Sequence, residues 1–167
     1  ILLEAAAGLA GEWRVDLIGS GPAQDRLIEL ARSLGITDRV RFLSWVASSQ
    51  IADVYRSFDV LVLPSRSKPN WIEQFGRALT EAMACGVPVI GSTCGEIPNV
   101  IGEAGLIFPE GNADALREHL RNLQNQPGLR AELAQRGRQR VLDHFTQAQI
   151  ARKTVEVYEQ ALGKLVD

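Results

Sequence analysis

Short apolar runs alternate with amphipathic stretches from the start of the chain to about Gly111. Ile1-Leu2-Leu3-Glu4-Ala5-Ala6-Ala7 reads as the middle of a helix with no capping residue before it, which predicts that the natural chain extends upstream. Val15-Asp16-Leu17-Ile18 reads as a strand and ends at Gly19-Ser20-Gly21-Pro22. Leu27, Leu30, Ala31 and Leu34 then recur at spacings of three and four, the period of one helix face, and Gly35 stops the helix. Val40-Arg41-Phe42-Leu43 is the next strand. Ile51, Val54, Tyr55 and Phe58 mark another helical face. Val60-Leu61-Val62-Leu63 is continuously apolar, as expected of a strand buried on both sides. A helix over 75–84 follows and closes at Gly86. Strands at Val87-Pro88-Val89-Ile90 and Leu106-Ile107-Phe108 enclose a short helix over Ile97–Ile101.

Strand alternating with helix predicts an α/β fold, a Rossmann-like doubly wound parallel sheet covered on both faces. Such sheets bind ligands at the carboxyl ends of their strands, so the loops after Ile18, Leu43, Leu63 and Ile90 are the places to look for a site. From Asn112 onward the pattern is helical throughout. Asn112 can cap one helix, Pro127 can open a second, and Thr146-Gln147-Ala148-Gln149 matches a capping box for a third. We place a soft boundary at Gly111: residues 1–111 form the α/β domain, and 112–167 form a helical C-terminal tail packed on it.

Composition narrows the picture only a little. The chain has 167 residues, 46% of them hydrophobic and 23% charged, with a net charge of -2. That charge gives no reason to expect a nucleic-acid partner. No apolar run approaches the ~20 residues that span a bilayer, and Cys85 and Cys94 match no zinc or redox spacing. A reduced, cytoplasmic setting is the expectation.

The stretch richest in chemistry runs from Pro64 to Ile90. It leaves a strand's carboxyl end, crosses a loop that carries Trp71 and Glu73, and enters a helix at Gly76. The amides of Phe75, Gly76 and Arg77, together with the helix dipole, would make an anion site. Glu81 lies deeper along the helix, beside the core-facing stripe of Phe75, Ala78, Leu79, Ala82 and Met83. It could accept hydrogen bonds from two neighbouring hydroxyls. Spacing alone favours a plain reading, with Glu73 complementing the helix dipole and Arg77 pairing with Glu81 at i,i+4 on the surface.

The run Glu73-Gln74-Phe75-Gly76 through Glu81-Ala82-Met83-Ala84-Cys85-Gly86-Val87-Pro88-Val89 resembles the signature of glycosyltransferase family 4, the group 1 glycosyl transferases. In that signature one Glu is followed by seven residues and a second Glu. The resemblance continues through Gly95-Glu96-Ile97-Pro98-Asn99-Val100-Ile101 and Gly105-Leu106-Ile107-Phe108-Pro109, and it reaches back to Gly19-Ser20-Gly21-Pro22. It implies the C-terminal, donor-binding half of a two-domain GT-B enzyme. The implied activity is retaining hexosyl transfer from a nucleotide-diphosphate sugar to a glycan or lipid acceptor held by an N-terminal domain.

By the same resemblance, Glu73 is the catalytic-site carboxylate and positions the donor sugar. Gln74, Phe75, Gly76 and Arg77 face the sugar or diphosphate, and Glu81 takes the ribose hydroxyls. The backbone at Trp45 and Val46 faces the base, and Gly19 and Gly21 turn the chain beside the nucleotide. No metal or other cofactor is implied.

The family's domain opens with a strand and an Arg/Lys segment that holds the diphosphate, which would precede Ile1. Without them the strands at 15–18 and 60–63 lack a shared neighbour. A fragment beginning at Ile1 is therefore expected to be inactive, and to be unstable alone or part of a longer protein. Two other functions are open to this sequence. One is a nucleotide-sugar-binding module without transfer activity; the other is a GT-B epimerase or phosphorylase, although no lysine here suggests a pyridoxal site.

Several weaker signals complete the reading. Gly19-Ser20-Gly21 is half of a dinucleotide fingerprint: Gln24 stands where its third glycine belongs, and no acid follows at the expected distance. Trp13 and Trp45 read as core or loop anchors, Trp71 as lining the sugar pocket or packing under its loop, and His119 and His144 as structural. Arg136, Arg138 and Arg140 read as a solvated helix face. Contact with acidic lipid, at the inner face of a membrane, is the alternative for that cluster.

Overall fold

A computed structural model describes residues 1–163. Helix α1 (Leu2–Ala7) precedes strand β1 (Val15–Ile18), and α2 (Gln24–Ser33) and a short 3-10 turn lead to β2 (Val40–Leu43). Helix α3 (Ile51–Arg56), β3 (Leu61–Leu63), α4 (Arg77–Ala84), β4 (Val89–Ser92), α5 (Ile97–Ile101) and β5 (Leu106–Phe108) follow in strict alternation. Helices α6 (Ala113–Asn125), α7 (Pro127–His144) and α8 (Gln147–Gly163) complete the described chain.

All strand pairs are parallel, in two groups ordered β1-β2 and β3-β4-β5. β1 and β3 do not pair. Both line a cavity of about 900 Å³ that also takes in Leu3, Trp13 and Tyr55. The interruption falls where a doubly wound sheet has its central strand, so the expected architecture is present with its strands in two groups.

Alternation along β3 divides two cores. Leu61 and Leu63 pack with Tyr55, Leu79, Met83, Val89 and Ile97 on one face. Val60 and Val62 pack with Ala5, Ile90, Phe108 and Leu116 on the other. β4 is buried throughout, but β3 is only half-buried because one of its edges opens on the cavity. This departs from the burial expected of a continuously apolar strand. A third, smaller cluster joins Leu3, Ala31, Ile36 and Val40 under β1 and β2.

Helices α6 and α7 share these cores. Leu116, Leu123 and Leu133 lie in the second cluster, and Val141 and Phe145 pack on the first. The caps expected from the sequence form: Asn112 Oδ1 accepts from the Ala115 amide at 3.0 Å, Pro127 opens α7, and Thr146 Oγ1 accepts from the Gln149 amide at 3.3 Å. α8 has no buried residue.

Of the arginines read as a solvated face, Arg136 is exposed and paired with Glu132, whereas Arg138 and Arg140 reach backbone carbonyls of other helices. Arg138 donates to the Ala84 carbonyl at the end of α4, and Arg140 donates to the Asn99 and Val100 carbonyls near the end of α5. Arg130 reaches the Leu123 and Gln124 carbonyls at the end of α6, and Arg117 on α6 reaches those of Glu4 and Ala5 on α1. Helix ends leave carbonyls unsatisfied and carry partial negative charge, which these guanidinium groups answer. No helix among the described residues is long and apolar enough to cross a membrane.

Candidate donor-binding site

The loop from Pro64 to Phe75 leaves the carboxyl end of β3 and delivers Glu73 to the start of α4. The helix begins two residues later than the sequence pattern predicts, because Gly76 takes a left-handed conformation at φ 77°. Glycine adopts that region without steric cost. The change of direction puts Phe75 outside the helix, so it does not join the core stripe. It is partly exposed and meets Phe145 edge-on, with ring centroids 5.7 Å apart.

The Glu73 carboxylate is tied at both oxygens. Oε1 accepts from the Gly76 amide at 3.0 Å and Oε2 from Ser65 Oγ at 3.3 Å. The Gly76 amide is therefore already used within the protein, and it is not the free anion donor expected from the sequence. The amides of Arg77 and Ala78, in the first turn of α4, have no carbonyl a turn back within the helix.

The loop is anchored in part by Glu110, Ser67 and Ser92, which the sequence reading did not single out. Glu110 clamps Ser67 through two hydrogen bonds, from the amide at 2.7 Å and from Oγ at 2.8 Å, and these hold its carboxyl below the usual range. Buried Ser92 at the end of β4 donates to the Ser65 carbonyl at 2.6 Å. The Glu96 amide, at the start of α5, donates to the Glu73 carbonyl at 3.0 Å. Beside it Gly95 adopts φ 55°, and a Cβ there would collide with that same carbonyl oxygen. Lys68 and Trp71 pair backbone to backbone to close the loop's tip. The signal for such ties was indirect: a long loop between buried elements must satisfy its own backbone polar groups.

Glu81 sits on α4 beside a stripe in which Leu79, Ala82 and Met83 are fully buried, with its own side chain 35% exposed. Arg77 Nε lies 3.0 Å from Glu81 Oε1, the i,i+4 pair that the plain reading anticipated. On the other side, the Tyr55 hydroxyl of α3 donates to Glu81 Oε2 at 2.9 Å. Burial pushes the Tyr55 phenol well above its ordinary range, and the Glu81 carboxylate adds to the shift through its hydrogen bond and charge. Tyr55 is thus a donor at any physiological pH. A sequence signal for it existed, since a phenol on a buried helix face needs a partner.

The other predicted residues lie on separate loops. Gly19 and Gly21 follow β1; Gly19 takes φ 113° and its amide donates to the Leu43 carbonyl at 3.0 Å, while Gly21 opens the turn into α2. Trp45 and Val46 follow β2. Trp45 is 75% exposed, so it is not the core or loop anchor expected. Trp71, at 49%, faces solvent beside Glu73 and Gln74 on a second cavity of about 660 Å³, and so does not pack under its loop. His119 meets the Ile107 carbonyl at 3.1 Å, a structural contact. Among the described residues no three His, Cys, Asp or Glu side chains converge as a metal site.

With this geometry in place, comparison with known proteins is direct. The chain matches the family Glycosyl transferases group 1 over residues 1–140. It belongs to that family. It is 38% identical to a D-inositol 3-phosphate glycosyltransferase from Rhodococcus opacus, over 96% of this chain and 37% of that protein. Its structure superposes on sucrose-phosphate synthase from Thermosynechococcus elongatus with a TM-score of 0.82 at 31% identity, covering 98% of this chain and 42% of the other. It also superposes on Anabaena HepE in complex with UDP, with a TM-score of 0.84 at 23% identity, covering 95% and 44%. The group 1 chain described here thus spans about two fifths of the length of these proteins, and its α/β fold with a helical tail is that of the C-terminal domain of GT-B enzymes.

Proposed function

We propose that this chain is the donor-binding domain of a retaining glycosyltransferase, which moves a hexosyl group from a nucleotide-diphosphate sugar to a glycan or lipid acceptor. The observation that carries the reading is the pair of carboxylates at α4. Glu73 is fixed by Gly76 and Ser65 at the helix start. Glu81 is half-exposed one face away, with lone pairs to spare. A carboxylate held through both oxygens suits positioning of sugar hydroxyls better than nucleophilic attack, so Glu73 is assigned to placing the donor sugar.

Glu81 takes the ribose diol, and Gln74, Phe75 and Arg77 border the sugar and diphosphate. Trp45 and Val46 border the base, and Gly19 and Gly21 border the nucleotide. The transition state is oxocarbenium-like by analogy with glycoside hydrolysis. The domain's contribution is to hold the donor in a reactive geometry and to stabilise the departing diphosphate. No metal or further cofactor enters this reading. The setting is the cytoplasm, at the inner face of a membrane where the acceptor is a lipid. The UDP bound by HepE supports a nucleotide in this fold.

Calorimetric titration of UDP, GDP and ADP into the full-length protein tests the proposal. One nucleotide binds, and Glu81→Ala weakens it by about 1–3 kcal/mol through loss of the ribose partner. Failure of all three to bind a folded protein overturns the reading.

A further inference from the structure

One buried polar group beside the site makes no contact with the donor. Tyr55 is 6% exposed and packs in the main core, yet its hydroxyl reaches across from α3 to the Glu81 carboxylate on α4. The two partners of that carboxylate differ in kind. Tyr55 approaches Oε2 from inside the protein on a rigid, buried ring. Arg77 approaches Oε1 from solvent, on a side chain 83% exposed. An exposed i,i+4 pair is weak and exchanges readily with water or another donor. A buried hydrogen bond to a charged group is stronger and fixed in direction.

A carboxylate has about four lone-pair sites. Tyr55 occupies one, on the inner side of Oε2, and so fixes the rotation of the carboxylate plane. The outer site on Oε2 remains open, and Oε1 opens when Arg77 swings away. These two adjacent acceptor sites match the two adjacent hydroxyl donors of a ribose. A glutamate free to rotate about its three side-chain torsions would present them together only part of the time.

We propose that Tyr55 is the positioning residue for Glu81 and thereby sets the preference of the site for ribo- over 2′-deoxyribonucleotides. This rests on the assignment of Glu81 to the ribose. Tyr55 touches no substrate; it acts through the carboxylate it orients. The phenyl ring belongs to the core and the hydroxyl belongs to the site, so removing the oxygen alone separates the two functions.

The test is calorimetric titration of UDP, GDP and ADP and of their 2′-deoxy forms into the full-length protein, for wild type, Tyr55→Phe and Glu81→Ala, with melting curves as a check on folding. Wild type favours the ribo form of its nucleotide by about tenfold, the effect of one hydrogen bond to a charged group. Glu81→Ala brings that ratio to about one. Tyr55→Phe lowers it several-fold, with a smaller loss of affinity for the deoxy form, which keeps one of the two hydroxyls. A Tyr55→Phe protein that loses ribo and deoxy forms equally, or that keeps the wild-type ratio, overturns the proposal while the Glu81 assignment stands. A ratio unaffected by Glu81→Ala removes that assignment, and the proposal with it.

Discussion

Gly95 shows how a single backbone position can govern the site. Its φ of 55° lies where L side chains are strained, and the space a Cβ would need is occupied by the Glu73 carbonyl. That carbonyl also accepts the Glu96 amide, so loop and helix meet backbone to backbone with nothing between them. Gly95→Ala must push the Glu73 segment away. We expect a stability loss of about 1–3 kcal/mol from the strained backbone, read as a lower melting temperature. A larger loss in transferase kcat/KM than in the neighbouring Asn99→Ala variant would show that Glu73 moved with the loop. The sequence placed Glu73, Gly76, Arg77 and Glu81 on one helix start, and the structure brings them together there. It did not reveal that Glu73 uses the Gly76 amide, because that depends on a left-handed turn of the backbone.

At the scale of elements, α7 acts as a brace. One helix face supplies Arg130, Arg138 and Arg140, and each finds carbonyls near the end of a different helix. Hydropathy shows the arginines but not their partners, so a solvated face was the natural expectation from sequence. Gly137, between two of them, lies against the buried Met83 of α4, with an added Cβ falling 2.9 Å from Met83 Cγ. The close crossing of α4 and α7 therefore needs a residue without a side chain. Gly137→Val overpacks that contact and is expected to destabilise by about 1–3 kcal/mol. Gly128→Ala, in the same helix with open space around it, is expected to stabilise by up to about 1 kcal/mol through the unfolded chain. Urea unfolding of both variants checks the pair, and equal effects would show that helix propensity, not the crossing, decides.

Across the whole molecule, stability against pH collects contributions from separate ties. Hydrogen bonding to Arg41 holds the Asp16 carboxyl below its usual range, and contacts with Ser67 do the same for Glu110. Groups with lowered values contribute stability above their unfolded pKa, and that contribution is lost as pH falls through the folded value. Tyr55 works in the opposite sense. Its value is raised, so its contribution is complete below about pH 10, the ordinary tyrosine value, and declines as pH climbs toward the folded value. Unfolding free energy is expected to plateau between these limits. Above pH 10 it should fall with a Tyr55 contribution of at most about 1.4 kcal/mol per pH unit, and Tyr55→Phe should flatten that alkaline limb.

The amino-acid pattern by itself determined the order of strands and helices, their parallel pairing, the helix caps at Asn112, Pro127 and Thr146, and the family-specific pair of glutamates. These follow from local periodicity, local hydrogen bonding and a contiguous motif. Tertiary structure alone decided the exposure of Trp45 and Trp71, the clamp of Glu110 on Ser67, and the meeting of Tyr55 with Glu81. Each of these joins residues far apart in the chain, or depends on which neighbour fills a space. The separations are 26 residues for Tyr55 and Glu81 and 43 for Ser67 and Glu110. Periodicity reports which face of an element is buried. Only packing decides what lies across from it.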